Sequence, residues 1–401
     1  MLDPSGQGAG APSTQIDPFS RDYILNPYPY HVELRDLGRV VWLEKYNCWC
    51  LPKHDEVKAS LMNWNEFCSG AGVGLANFNN EKPWRPPSLL LEADPPDHTT
   101  RRAVTGRVTG PANIRRLRPQ FEANAKDMVD RILDAGSVDG FADVAKEYVL
   151  KAFPDAVGVA PNDRDNLLLY GSMVFNAFGV LNKIFEESAK DAAPISEYIL
   201  NCCKRENLTK DGLGAQLYEA ADNGEVTHDE AFMLVRSLLS AGVDTTIYLV
   251  ANALWCFATH PEEWAKLKAD PTRARAAVEE VLRFESPFQG AFRTTTGETK
   301  VAGVTLGADE KVFVVLGSAN RDPDRWEDPN TFNIDRKTVG HMAFGTGIHG
   351  CVGQMIARLE AECLIQELAE RVSRIELTGP AVHKVHNTIR GLERLPVRFV
   401  S

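Results

Sequence analysis

The chain reads as mainly α with a smaller β-rich part, and three observations lead there. From Asp97 to Glu206 apolar residues recur at helical spacing, with breaks at Gly110-Pro111, Gly136, Pro161 and Gly179. A longer apolar helical pattern, capped by Thr227, runs to about Thr259. Residues 288–316 then switch to strand-like alternation, as in Val312-Phe313-Val314-Val315.

Taken in order, residues 1–16 are rich in Gly, Ser and Pro and are expected to be a disordered tail without a basic-then-apolar leader. Residues 17–401 read as a single domain, because no repeat and no Pro/Gly/Ser linker divides them. Val40-Val41-Trp42-Leu43 and Cys48-Trp49-Cys50-Leu51 flank a polar turn and predict a hairpin. His54 to Trp64 predicts a short amphipathic helix, and residues 68–96 a long loop of the kind that carries function. In the long helix Phe232, Val235, Leu239, Val243, Leu249 and Leu254 share the core-facing stripe. Helix resumes from Pro261 to about Glu285, and a last helix is expected from Cys351 to about Ile375.

The 401 residues are 44% hydrophobic and carry a net charge of -11, which argues against a general nucleic-acid binder. No run of roughly 18 consecutive apolar residues is present, so no membrane span is expected. The 8 cysteines form no CxxC pair and no zinc spacing, and several sit in apolar segments. A cytoplasmic, reducing home follows as the expectation.

Phe344-Gly345-Thr346-Gly347-Ile348-His349-Gly350-Cys351-Val352-Gly353 is the most informative stretch. A thiolate that ligates a metal must be held close and shielded. Glycines let the backbone curl around the sulfur and aim N–H groups at it, and a following helix N-terminus favours the anion. The same residues spell the dinucleotide fingerprint GxGxxG (Gly345, Gly347, Gly350). An NAD-dependent dehydrogenase is therefore a rival, but His341-Met342-Ala343-Phe344 is a poor strand and no βαβ series follows.

Phe344, Gly347, Cys351, Gly353 and Ala357 resemble the signature loop of the cytochrome P-450 family, with Ile356 in place of the usual Leu. The resemblance implies that family's fold, a triangular prism with a haem between the long central helix and the cysteine-loop helix. It implies haem b, with Cys351 as the iron ligand. Glu280 and Arg283 match the family's structural ExxR pair, which Arg336 would join. Ala241-Gly242-Val243-Asp244-Thr245-Thr246 matches its AGxDT motif. From the residues alone this segment opens a groove, since Gly weakens the helix and Thr can bond back to a carbonyl. By resemblance Thr245 steers protons to dioxygen and Asp244 feeds the relay. For the haem propionates the resemblance nominates His98, Arg102, Arg293 and His349, while Phe344 and Gly353 wrap the ligand.

Residues 101–118 carry Arg101, Arg102, Arg107, Arg115, Arg116 and Arg118, either a solvated face or a docking site for an acidic electron carrier. The chain has no flavin or Fe–S motif, so a ferredoxin-type partner and its reductase are expected. The resemblance is nearest to the bacterial branch that O-demethylates para-methoxybenzoate and related para-substituted benzoates. It implies that Ser88 and Ser237 bind the substrate carboxylate, with Arg85 and Arg236 adding charge. Phe175 and Phe178 would sandwich the ring, with Leu91 and Ser240 beside it. A neutral methoxyphenol is the alternative substrate. Arg236 lies in an apolar helix and needs an anion, either a substrate or a protein carboxylate. Ser237 stands about 12 Å along the helix from Thr245, a span a para-substituted benzoate bridges in large part. The methyl group would be hydroxylated, and the hemiacetal would collapse to a phenol and formaldehyde. One departure stands out: Phe288 and Ala291 reverse the small-then-large order usual in that branch.

Overall fold

The computed structural model describes residues 10–401. Of the tail expected to be disordered, residues 1–9 lie outside the described residues. Within its remainder, Ser13–Thr14 pair parallel with Val41–Leu43, so the ordered chain begins earlier than Asp17.

Helices make up most of the molecule. They include Asp97–Val108, Pro111–Ala135, Glu147–Val157 and Asp165–Asn176, separated where the sequence breaks fall. Gly110 precedes the Pro111 helix and Gly136 ends it in the left-handed region, φ 77. The 261–285 stretch is two helices, Pro261–Ala269 and Ala274–Glu285. Asp270, held extended before Pro271, breaks them.

The main sheet has six strands in the order Ser13–Thr14, Val41–Leu43, Cys48–Leu51, Lys311–Val314, Ala291–Thr295 and Phe67–Cys68. The expected hairpin is present with Trp42 opposite Trp49, and Asn47 takes the left-handed position its tight turn requires. The C-terminal end corrects the helix expected to reach Ile375. That helix is Gln354–Arg371, and Ile375 belongs to the strand Arg374–Leu377. Ile375 faces Phe399 across an antiparallel ladder, and burial of that pair outweighs helix continuation.

Two long helices run through the core. One is a tandem of His228–Ala241 and Asp244–Thr259, opened by a capping box of Thr227 and Glu230. By length and composition the span His228–Thr259 could cross a membrane, but 67% of its most apolar window is buried inside the fold. Of its expected core stripe, Val235, Leu239, Val243, Leu249 and Leu254 are buried, and Phe232 is half-buried. The other long helix, Gln354–Arg371, packs on Pro111–Ala135 and Ala274–Glu285.

The floor between them is fixed by a charge network. Arg283 makes a two-pronged bond to Glu280, 2.7 Å at each prong, and both side chains are fully buried. Its remaining N–H groups reach the carbonyls of Asn320, Pro329 and Thr331. Arg336 closes the network at 3.3 Å from Glu280. A buried ion pair is worth having only when its other valences are met, as they are here.

Candidate active site

A cavity lies between the two long helices. At one end it meets Cys351, the sole cysteine of the chain on its wall. Gly345 and Gly347 sit at φ 63 and 72, and a side chain at Gly347 would collide with the Leu61 carbonyl. That curl lets the Cys351 N–H donate to the Phe344 carbonyl at 2.8 Å. Burial pushes the Cys351 thiol up, while the N–H groups of Gly353 and Gln354 and the charges of Arg102 and Arg358 pull it back. Arg358 stacks 4.3 Å over the Phe344 ring. Beside the sulfur, added side chains at Gly345 and Gly353 would meet nothing within 4 Å. No strand runs directly into this loop, so the dinucleotide-binding rival fails.

Two arginines and two histidines gather around the same end. Arg293 is 5% exposed, and its one hydrogen bond is to its neighbour's carbonyl, Phe292 O, at 2.7 Å. Neither Arg293 nor Arg102 has an ion pair among the described residues. His98 packs its ring 4.4 Å from His349, and each leaves a buried Nε2 without a hydrogen bond. Burial, with His349 and Arg102 nearby, pushes His98 down to about 4. His349 stands 3.7 Å from Asp94, whose carboxylate also takes the N–H groups of Ser69 and Gly70. A buried cation without a protein anion, as Arg293 is among the described residues, calls for an anion from elsewhere. A flat group with two carboxylates and a metal facing Cys351 fits that requirement, as haem b does.

The middle of the cavity is the groove. Between the two helical segments, Gly242 leaves no room for a side chain because Phe153 packs against it. Thr245 Oγ donates to the Ala241 carbonyl at 3.1 Å, and Thr246 Oγ to that of Gly242 at 3.2 Å. Ala241, Thr245 and Thr246 all line the cavity. Asp244 does not. It is fully buried on the opposite side of the helix, its carboxyl packed against Gly171, with neither oxygen hydrogen-bonded. Burial raises its pKa well above the carboxylate range. The relay role expected of Asp244 therefore has no contact with the groove in this arrangement. The sequence reading missed a second such acid. Glu360, on the cysteine-loop helix, lines the cavity, is fully buried and leaves both carboxyl oxygens unbonded. Its only sequence signal was an acid one helical turn from both Ile356 and Leu364, which are buried.

At the far end every nominated substrate residue reaches the wall: Arg85, Ser88 and Leu91 from the long loop, Phe175 and Phe178 after Asp165–Asn176, and Arg236, Ser237 and Ser240 from the central helix. Phe288 and Ala291 also line the cavity. Ser88 Oγ and Ser237 Oγ lie 3.1 Å apart. Arg236 is 4% exposed and donates to the carbonyls of Pro86 and Pro87, 3.0 and 3.1 Å, with no protein carboxylate. Arg85, expected to offer free charge, is instead paired with Glu92 at 3.0 Å. The rings of Phe175, Phe178 and Phe288 meet edge to face, 5.5 to 6.5 Å apart. Tyr170, unforeseen from sequence, joins this wall.

The basic face at 101–118 shrinks on inspection. Arg101, Arg107 and Arg118 pair with Glu230, Glu225 and Glu362, and Arg102 lines the cavity. Arg115 and Arg116 remain exposed.

Comparison with known proteins accounts for this assembly. The family model described as Cytochrome P450 matches residues 172–373. The chain is 50% identical over 397 residues to cytochrome p450 CYP199A2 of Rhodopseudomonas palustris, covering 99% of this chain and 96% of that one. It is 31% identical to the cytochrome P450 monooxygenase PikC of Streptomyces venezuelae, over 98% of this chain and 96% of that one. The solved structure of cytochrome P450 CREJ in complex with (4-ethylphenyl) dihydrogen phosphate superposes with TM-score 0.86 at 28% identity, covering 96% and 98% of the two chains. With Cys351 in its curled loop, the ExxR network beneath it and this likeness along nearly the whole length, the chain belongs to the cytochrome P450 family of haem-thiolate monooxygenases.

Proposed function

We propose that this monooxygenase oxidises a small aromatic carboxylic acid at its para position, by O-demethylation of a methoxybenzoate or by hydroxylation. The observation that carries the reading is the far end of the cavity. There the hydroxyls of Ser88 and Ser237 face each other beside buried Arg236, on a wall shared with Phe175, Phe178 and Phe288.

Arg236 and the paired hydroxyls hold the carboxylate. Phe175, Phe178 and Phe288 hold the ring, and the para substituent then points toward Thr245 and Cys351. When bound, the haem supplies dioxygen activation and the insertion of one oxygen atom into the substrate. Cys351 would hold the iron, and Arg102, Arg293, His98 and His349 would hold the propionates. Thr245 presents its hydroxyl to the groove and positions a proton there. Electrons come from a ferredoxin-type carrier with its reductase, docking where Arg115 and Arg116 are exposed. All 8 cysteines are free, in keeping with a cytoplasmic protein.

The test compares para-methoxybenzoate with its uncharged benzamide by equilibrium binding, and looks for phenol and formaldehyde as products. The benzamide is expected to bind at least about tenfold more weakly, since it forfeits charged hydrogen bonds. Equal binding, or no loss on Arg236→Leu, would move the substrate to neutral methoxyphenols.

A further inference from the structure

The loop that presents Ser88 carries a carboxylate with no part in the mechanism above. Glu92 is 8% exposed and lies behind the cavity wall. One of its oxygens accepts the Ser88 N–H at 2.6 Å and Arg85 Nη1 at 3.0 Å, and the other accepts Arg85 Nη2 at 3.4 Å. Arg85 lines the cavity but faces it with its charge already answered. Arg236 is bound only to carbonyls, so its charge is not. The remaining polar groups at this end, Ser88, Ser237, Ser240 and Tyr170, are neutral, burial holding the Tyr170 phenol above its ordinary value. Two guanidiniums and one carboxylate leave one net positive charge.

That balance matches one carboxylate. An aryl phosphate carries about −1.5 to −2 at neutral pH and would bring unanswered charge into a desolvated site. Selectivity is a difference between two affinities, and a built-in negative group can supply it by repulsion. We propose that Glu92 is a specificity-determining positioning residue. By neutralising Arg85 it sets the polar end to a single net positive charge and so selects aryl monocarboxylates over dianionic aryl phosphates. The inference rests on the reading that this end receives the substrate carboxylate. The similar CREJ protein, solved with (4-ethylphenyl) dihydrogen phosphate, shows that aryl phosphates are met within the fold.

The experiment is calorimetric binding of 4-ethylbenzoate, 4-ethylphenyl phosphate and 4-ethylbenzamide to the haem-loaded wild type, Glu92→Gln and Glu92→Asp. Glu92→Gln keeps an acceptor for the Ser88 N–H while removing the charge. It is expected to tighten the phosphate by more than about tenfold and the benzoate by less, with the benzamide within about twofold. Glu92→Asp keeps the charge and is expected to keep the wild-type phosphate-to-benzoate ratio, even where a shorter arm weakens all three ligands. Parallel weakening of all three by Glu92→Gln, an unchanged ratio, or the same ratio change in Glu92→Asp would overturn the role of Glu92. The carboxylate reading fails separately, when the wild type binds the benzoate no tighter than the benzamide, and the inference falls with it.

Discussion

The two ends of the cavity treat buried charge in opposite ways. At the cysteine end Arg102 and Arg293 have no protein anion among the described residues, and His98 and His349 leave ring nitrogens unbonded. At the far end Arg85 has Glu92 and Arg236 has two carbonyls. A cation stripped of water must be answered by something. Leaving it to a non-protein group is sound where that group is resident throughout the life of the protein. Where the ligand comes and goes, the protein supplies stand-in acceptors that keep the site folded between turnovers. The cysteine end is thus built around a permanent occupant, and the far end around an exchangeable one.

The largest effect that would break this picture is at the ligand. Cys351→Ser should abolish the red-shifted Soret band of the reduced carbon monoxide complex, and a retained band would remove Cys351 from the metal. Next comes the floor under that end. Arg283→Leu removes the two-pronged partner of the fully buried Glu280, leaving it only Arg336 and the Asn333 N–H, and should cost about 3–5 kcal/mol in denaturant unfolding. A loss below about 1 kcal/mol would mean that the network is not a support. In the groove, Thr245→Ala should still bind substrate but divert reducing equivalents to hydrogen peroxide. Product per NADH at the wild-type value would take Thr245 out of proton handling. A smaller effect concerns Glu360, whose pKa burial raises well above its ordinary value. The folded state holds a proton that the unfolded chain releases at about pH 4.3. Stability from this group is therefore complete below about that pH and is lost as pH rises toward the folded value. Glu360→Gln should flatten the decline of stability between acid and neutral pH, read from denaturant midpoints across that range. An unchanged slope would mean that Glu360 is ionised and answered.

Much of this was legible in the residues. The helix breaks at Gly110 and Gly136, the hairpin around Asn47 and the Thr227 cap follow from local chemistry that tertiary packing had no reason to overrule. The cysteine loop was legible because its glycines have a steric task, most plainly Gly347 against Leu61. What escaped was set by partners that no local pattern pairs. Arg85 looked like a free cation because nothing in the loop's sequence shows Glu92 turning back onto it. Asp244 looked like a groove residue because the motif gives its neighbourhood but not the side of the helix it faces, which Gly171 decides. The strands after Arg371 are short, and the pairing of the last, Pro396–Val400, with Ser137–Asp139 is a long-range event no local pattern announces.

The finest test of the cavity concerns its shape near Phe288 and Ala291, the latter expected to leave room near the iron, rather than its charge. Phe288 stands 5.5 Å from Phe175 and 6.5 Å from Phe178, so the ring site is already walled on that side. Ala291, at the start of the strand Ala291–Thr295, is buried and lines the cavity with a single methyl. Volume has moved from one position to the other, and a ring at 288 cannot fill space that 291 faces. Benzoates with a bulkier para-alkoxy group, or with an added meta substituent, should therefore be accepted. Ala291→Phe should reduce their turnover while sparing para-methoxybenzoate. A bulky ring in a packed strand can also cost about 1–3 kcal/mol by overpacking. Overpacking alone would lower activity on every substrate together, whereas occupation of the pocket reorders them. The measurement is kcat/KM for para-methoxybenzoate, a para-alkoxy homologue and a meta,para-disubstituted benzoate in both proteins. An unchanged ranking would show that position 291 does not shape the site.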